Sequence, residues 1–240
     1  MPLFSDMSFK DMQDYLARDD RVLLPIGATE EHGPHLGLGT DYLEAEAIAV
    51  GAGQISGVAV APTLAYGESC AMMGFSGTLT LRPATLTAVL EDLFRASYHH
   101  GFRRILVVNG HGGNIASLSN AVQTVAQDLP GLRLKVFSWW LDAEVNRVVV
   151  EMMGEQQGSH ASAAETAFML AVRPAGVKLE RLSGRDAPVK PSRDVPTVQT
   201  FAGLYPDGIM GLNPHRATRE AGEALLKKSI EICVREAMQW

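Results

Sequence analysis

The chain has 240 residues, 46% of them hydrophobic and 20% charged, which supplies a sizeable core and argues against general disorder. Its formal net charge of −6, from 21 basic and 27 acidic residues, speaks against nucleic acid or an anionic membrane as partner. No apolar run approaches the roughly 18 residues that span a bilayer, no basic and apolar leader opens the chain, and Cys70 and Cys233 lie far apart without a CxxC spacing, so a cytoplasmic protein with two small packed thiols is expected.

In chain order, residues 8–17 read as a helix with Ser8 as N-cap ahead of Phe9, Met12 and Leu16. Residues 21–26 are an apolar run ending at Gly27, the pattern of a buried strand. A polar, glycine-rich loop follows to Thr40, and Asp41 opens a helix through Val50 with Leu43, Ala47 and Val50 on one face. Residues 58–61 form a second strand, residues 62–77 a loop, and residues 78–81 a candidate third strand. A helix over 84–100 ends at Gly101. The strand at 104–109 is the clearest in the chain and runs through Gly110-His111-Gly112-Gly113-Asn114 into a helix over 115–127. Residues 132–138 are a further strand ending at Trp139-Trp140, and residues 161–172 an apolar helix. Residues 181–196, charged and bearing Pro188, Pro191 and Pro196, read as a loop or flap, and the last helix covers 218–238. Strands alternating with long helices imply an α/β fold, a three-layer sandwich around a mostly parallel sheet. With no repeat or linker, residues 1–240 are expected to form a single domain.

Ligands of open α/β sheets bind at the carboxyl ends of the strands. Glu30, Glu31, His32, His35 and Asp41 follow the first strand, and Asn109, His111 and Asn114 follow the strand at 104–109. His160 precedes the apolar helix that contains Glu165. A lone Glu-x-His pair is most simply a solvated loop, but four of the seven histidines fall at strand ends beside carboxylates, the ligand set of Zn²⁺, Mn²⁺ or Fe²⁺. Neither G-x-G-x-x-G, nor a phosphate loop, nor G-x-S-x-G is present around these residues.

Pro25-Ile26-Gly27-Ala28-Thr29-Glu30-Glu31-His32-Gly33-Pro34-His35-Leu36 with Gly39-Thr40-Asp41 closely resembles the first signature of the creatininase (creatinine amidohydrolase) family. Residues 109–114 match its second signature, and residues 160–166 resemble the third. Gly208-Ile209-Met210-Gly211 and Ala217-Thr218-Arg219-Glu220-Ala221-Gly222 also resemble the family, so the likeness spans residues 22–225. The resemblance implies one or two divalent metals (Zn, Fe or Mn) per subunit, with Glu30, Asp41 and His111 at one site and His32 with the bridging Asp41 at the other. Creatininase itself completes the second site with a glutamate where this chain has Gly113. The glycine form resembles formamidopyrimidine deformylases and the mycofactocin-maturing peptidase, and there Glu165 is the implied replacement.

The expected chemistry is metal-dependent hydrolysis of a C–N amide bond, non-peptide or cyclic, in a small molecule. His160 is the candidate proton donor to the leaving nitrogen, or else an orienter of Glu165, which is itself assigned to the catalytic centre. Glu31 reads as solvent-facing or supporting. Trp139, Trp140 and His35 are candidate substrate contacts, with core packing the alternative for the tryptophans. The loop at 68–78 lacks the Glu-His pair usual in the family and carries Ser76 in place of proline. The alternatives are a metal-dependent peptidase acting on a modified peptide and a metal-binding paralogue without turnover. The resemblance further implies a homohexamer.

Overall fold

The computed structural model describes residues 2–154, 160–182 and 197–240. Ser8 caps α1 (Phe9–Leu16) in a reciprocal capping box with Asp11. Four parallel strands follow in the spatial order β2 (Ala59–Val60), β1 (Arg21–Ile26), β3 (Arg104–Asn109) and β4 (Arg133–Ser138). Their register aligns Ile26 with Asn109 and Asn109 with Ser138, so three strands end on one line. Everything that leaves these strand ends emerges at the same edge.

Period-two alternation splits the sheet residues between two cores. Leu23, Val60, Leu106 and Val108 join the first, with α2 (Thr40–Ser56), α5 (Ala143–Met153), α6 (Ala163–Val172) and α8 (Arg219–Met238). Val22, Leu24, Ile26, Ile105 and Val107 join the second, with α1, α3 (Pro83–His100) and α4 (Asn114–Asp128). Helices on both faces make the expected α/β/α sandwich. The short α7 (Val198–Leu204) packs on a 3₁₀ turn at Cys70–Gly74.

Several boundaries differ from the sequence reading. Residues 78–81 form no sheet strand: Leu79 makes one isolated bridge to Thr29. The hydroxyls of Thr78 and Thr80 accept from Glu31 N and Ser69 N instead. The buried face of α2 is Asp41, Glu44, Ala45, Ile48, Ala49 and Ala52, whereas Leu43, Ala47 and Val50 are only half-buried. Small residues and two acids face inward because this helix touches both sheet and strand-end loops. Ala161 has φ +54°, so α6 begins only after it, with Ser162 as N-cap. Helices α5 and α7 were not anticipated, although Asp142 ahead of the Val145, Val149 and Met153 stripe is a legible start signal for α5. Of the expected flap, Arg181 closes a short 3₁₀ turn, and residues 183–196 lie outside the described residues.

Candidate metal centre

Close backbone approach creates the site. The N-terminus of α2 lies against the ends of β1 and β3, and only glycine leaves room for it. A Cβ on Gly27 would lie 2.3 Å from Tyr42 N, and one on Gly110 would lie 2.1 Å from the Asp41 carbonyl oxygen. Asp41 therefore enters the first turn of α2 directly between the two strand-end loops. The β1 loop is drawn back by Glu30 N donating to Leu38 O at 2.9 Å. The β3 loop is held by Asn109 Oδ1, which accepts from His111 N at 3.1 Å and from Asn114 Nδ2 at 3.3 Å. Asn114 Nδ2 also reaches Gly27 O at 3.1 Å, tying the two loops together.

The His111 and His32 imidazoles are each oriented by a backbone carbonyl. His111 Nε2–H donates to Glu68 O at 2.6 Å, and His32 Nδ1 faces Glu30 O at 3.3 Å. A carbonyl only accepts, so the opposite nitrogens, His111 Nδ1 and His32 Nε2, are left for a proton or an ion. His111 Nδ1 lies 2.9 Å from Asp41 Oδ2 and 3.4 Å from Glu30 Oε1. His32 Nε2 lies 2.9 Å from Asp41 Oδ1 and 3.8 Å from Glu165 Oε1. His160 joins from the far side, its Nδ1 3.3 Å from Glu30 Oε1 and its Nε2 3.1 Å from Glu31 Oε1.

Three groups of side chains are spaced to hold an ion: Glu30, Asp41 and His111; His32, Asp41 and Glu165; and Glu30, His32 and His160. The donor atoms converge as close imidazole–carboxylate contacts, several of them without hydrogen-bond geometry. Glu30 Oε1 and Oε2, His32 Nε2 and Asp41 Oδ2 make no hydrogen bond despite being buried, the arrangement expected where lone pairs share a cation. Five carboxylates, Glu30, Glu31, Asp41, Glu44 and Glu165, are buried here. Their ion-pair partners among the described residues are imidazoles, with no Lys or Arg.

That excess of negative charge controls the protons. Burial pulls the His111 imidazole down, but Glu30 and Asp41 outweigh it and lift it to about 10. Burial and the adjacent His32 pull His160 down, and Glu30 with Glu31 raise it to about 9. Against burial, Asp41 and Glu165 also raise His32. The Asp41 carboxyl is held below the usual carboxylate range, against the opposing effect of burial, by His32 and His111. Without an ion, the cluster therefore keeps protons where cations fit.

The remaining sequence candidates are placed as follows. Glu165 is divided: Oε2 accepts from Ser162 N at 3.2 Å in the capping box of α6, leaving Oε1 toward His32. Glu31 is not solvent-facing; it is buried, with Oε2 accepting from Gly33 N at 2.8 Å and Oε1 toward His160. His35 is buried and donates through Nε2 to Thr166 Oγ1 at 2.9 Å, because that hydroxyl spends its own proton on Ser162 O. Burial first, then His32, depress its pKa to about 4. Trp139 packs in the first core against Phe168, its Nε1–H donating to Glu44 Oε2 at 3.1 Å. Of the three expected substrate contacts, only Trp140 is half-buried rather than buried. The Cys70 thiol is half-buried and is raised by burial and by Glu68.

Sequence reasoning missed Glu44. Its signal was present as the i, i+3 spacing from Asp41, which puts both acids on one helical face. Burial, then Glu165 and Asp41, push its pKa well up. Gly113 also has a structural reason: a Cβ there would lie 2.1 Å from Glu68 O and 2.5 Å from His111 Nε2. The 68–78 loop occupies the space that a side chain at this position would need.

Residues 5–236 match the family described as Creatininase: Creatinine amidohydrolase. A creatinine amidohydrolase from Pseudomonas putida is 29% identical over 244 residues, covering 95% of this chain and 92% of that protein. A mycofactocin precursor peptide peptidase from Mycolicibacterium smegmatis is 31% identical over 228 residues, covering 91% and 85% respectively. A crystal structure of creatinine amidohydrolase (creatininase) superposes with a TM-score of 0.89 at 28% identity, over 99% of this chain and 96% of that one. A mutant creatininase of Zn–Zn type and a creatininase named with Mn each give a TM-score of 0.87 at 27% identity, over 97% of this chain and 95% and 96% of theirs. The chain belongs to the creatininase family, whose members are amidohydrolases acting on C–N bonds.

Proposed function

We propose that the protein hydrolyses a non-peptide or cyclic C–N amide bond of a small molecule at a centre of two divalent ions. One ion is assigned to Glu30, Asp41 and His111, and the other to His32, Asp41 and Glu165. The observation that carries this reading is the division of Asp41, whose Oδ2 faces His111 and whose Oδ1 faces His32, each at 2.9 Å. One carboxylate thus belongs to both groups. Zinc, iron or manganese suits the imidazole–carboxylate set; bound there, such ions supply an ionisable water and polarise the scissile carbonyl.

The chain's own residues complete the chemistry. His111 and His32 are held by backbone carbonyls, so their ligating nitrogens need no reorganisation. His160 is assigned as proton donor to the leaving nitrogen: its Nδ1 lies 3.3 Å from Glu30 Oε1 and its Nε2 3.1 Å from Glu31 Oε1, at the edge of the ligand groups. Glu31 holds that ring from behind. Glu165 keeps one oxygen for the second ion, and Trp140 is the remaining candidate for substrate contact. The family resemblance also implies a homohexamer, an assembly that light scattering on a sizing column reads directly, while the lack of a linker and the two widely spaced cysteines support a single-domain, cytoplasmic chain.

A second reading, trimming of a modified peptide, draws on the 31% identity to the mycofactocin precursor peptide peptidase. Metal analysis combined with a panel of formamides, lactams and peptides separates the two. The expected result is two ions per chain and hydrolysis of a non-peptide amide, abolished by chelation and restored by zinc, iron or manganese. Cleavage of peptides alone favours the second reading, and no turnover across the panel favours a metal-binding paralogue. If Glu165→Gln leaves both metal content and rate unchanged, the second ion is misassigned.

A further inference from the structure

Glu44 stands one turn beyond Asp41 on α2 and is 0% exposed. Its Oε2 is fixed by Trp139 Nε1–H at 3.1 Å, whereas Oε1 has no hydrogen-bond partner. Its charged neighbours are Glu165, Asp41 and His32, the three members of the second ligand group. No Lys or Arg among the described residues pairs with it. A carboxylate buried beside two others is unfavourable unless a proton or a cation compensates it, and an apolar side chain would fill the same space without that cost.

The second ligand group has reason to need it. Asp41 is shared with the first group, and Glu165 gives one oxygen to the cap of α6. Gly113 supplies no side chain, and Glu68 O leaves it no room for one. Glu44 itself lies outside all three ligand groups, so it acts through charge and orientation rather than by coordination.

We propose that Glu44 is the buried counter-charge of the second ion: held by Trp139, it tightens the divalent cation at His32, Asp41 and Glu165 without ligating it. The inference rests on the two-ion reading of the centre. Glutamine at this position keeps the shape and an acceptor for Trp139 but removes the charge, so Glu44→Gln isolates the effect.

The test is titration of the full chain with Zn²⁺ and Mn²⁺ against a competing chelator, with melting temperatures measured with and without metal. Glu44→Gln is expected to weaken the second ion about 10- to 100-fold, the range typical of residues that support metal ligands. The first ion is expected to bind as in the wild type, and the metal-free melting temperature to stay level, because glutamine keeps the shape and the acceptor for Trp139. Trp139→Phe, which frees the carboxyl from its anchor, should weaken the same ion to a smaller extent and gives the same readout if Glu44→Gln does not fold. Unchanged affinity for the second ion overturns the proposal. So does equal weakening of both ions with a lower metal-free melting temperature, the mark of a packing role. Uptake of a single ion by the wild type would bring down the two-ion reading separately; Glu44→Gln affinity for that ion then decides, and no change overturns the proposal.

Discussion

At the N-terminal edge of the sheet, Arg21 Nη2 meets Asp19 Oδ2 at 2.6 Å and Arg104 pairs with both Asp19 and Asp20, all of them partly exposed. At the C-terminal edge, Glu30, Glu31, Asp41, Glu44 and Glu165 are buried among imidazoles. The strands between the two ends are the same β1 and β3. One end satisfies its carboxylates with the chain's own guanidinium groups at a partly solvated surface, where each pair adds modest stability. The other withholds such partners and leaves lone pairs converging in a buried space. Acidic residues beside a sheet are thus not informative alone; burial without a fixed cation marks the functional end.

The contrast can be broken from either end. Asp41→Ala removes the shared ligand and carries the largest expected effect: neither ion should survive dialysis, and hydrolysis should disappear with them. Retention of one ion at wild-type affinity would refute the bridging role of Asp41. Next comes pH. In the metal-free protein, His111 and His160 titrate near 10 and 9, above the ordinary value of about 6.5. The folded chain then holds protons the unfolded chain has released. Their stabilisation is complete below about pH 6.5 and is lost as pH rises through about 9 to 10. The metal-free melting temperature should fall across that window, and bound metal, by displacing the proton of the ligand His111, should flatten the fall. A metal-free profile flat up to pH 10 would contradict the charge balance described here.

Gly113→Ala should cost about 1–3 kcal/mol, the usual range for overpacking, because the Glu68 backbone must move. That shift should also weaken the first ion by loosening His111; calorimetry and metal titration read the two effects together. The smallest effect is expected at the opposite edge. Asp19→Asn should cost about 1 kcal/mol or less and leave both ions bound as before. A loss of metal from Asp19→Asn would show that the two ends are coupled and that the comparison fails.

Much of the site was legible because its signals are local. Glu30, His32 and Asp41 sit in one short stretch, and His111 between glycines at a strand end, so the family resemblance could assign the expected ligands without knowledge of which atoms meet. Glu165 came from the resemblance alone, as the replacement for what Gly113 lacks, and its carboxylate also serves the cap of its own helix. Glu44 was missed, and Glu31 left open between a solvent-facing and a supporting place, for the same reason: their burial depends on what covers them. Gly208 closes over Glu31 so tightly that a Cβ there would lie 2.0 Å from its Oε2, and Trp139 arrives from β4, 95 residues from Glu44 along the chain. His35 and Trp139 are buried by neighbours absent from any local window, Thr166 beside His35 and Glu44 and Phe168 beside Trp139.

Taken alone, the order of amino acids determined the alternation of strands and helices, the parallel sheet, and the collection of histidines and carboxylates behind two strands, because periodicity and glycine placement act over a few residues. Tertiary structure decided which oxygen of Asp41 faces which imidazole, which nitrogen of each histidine is left for an ion, and why position 113 is glycine. Those outcomes follow from the common end line of Ile26, Asn109 and Ser138 and from the approach of α2 against it. Convergence of charge in a buried space is a property of packed surfaces, and no stretch of chain carries it by itself.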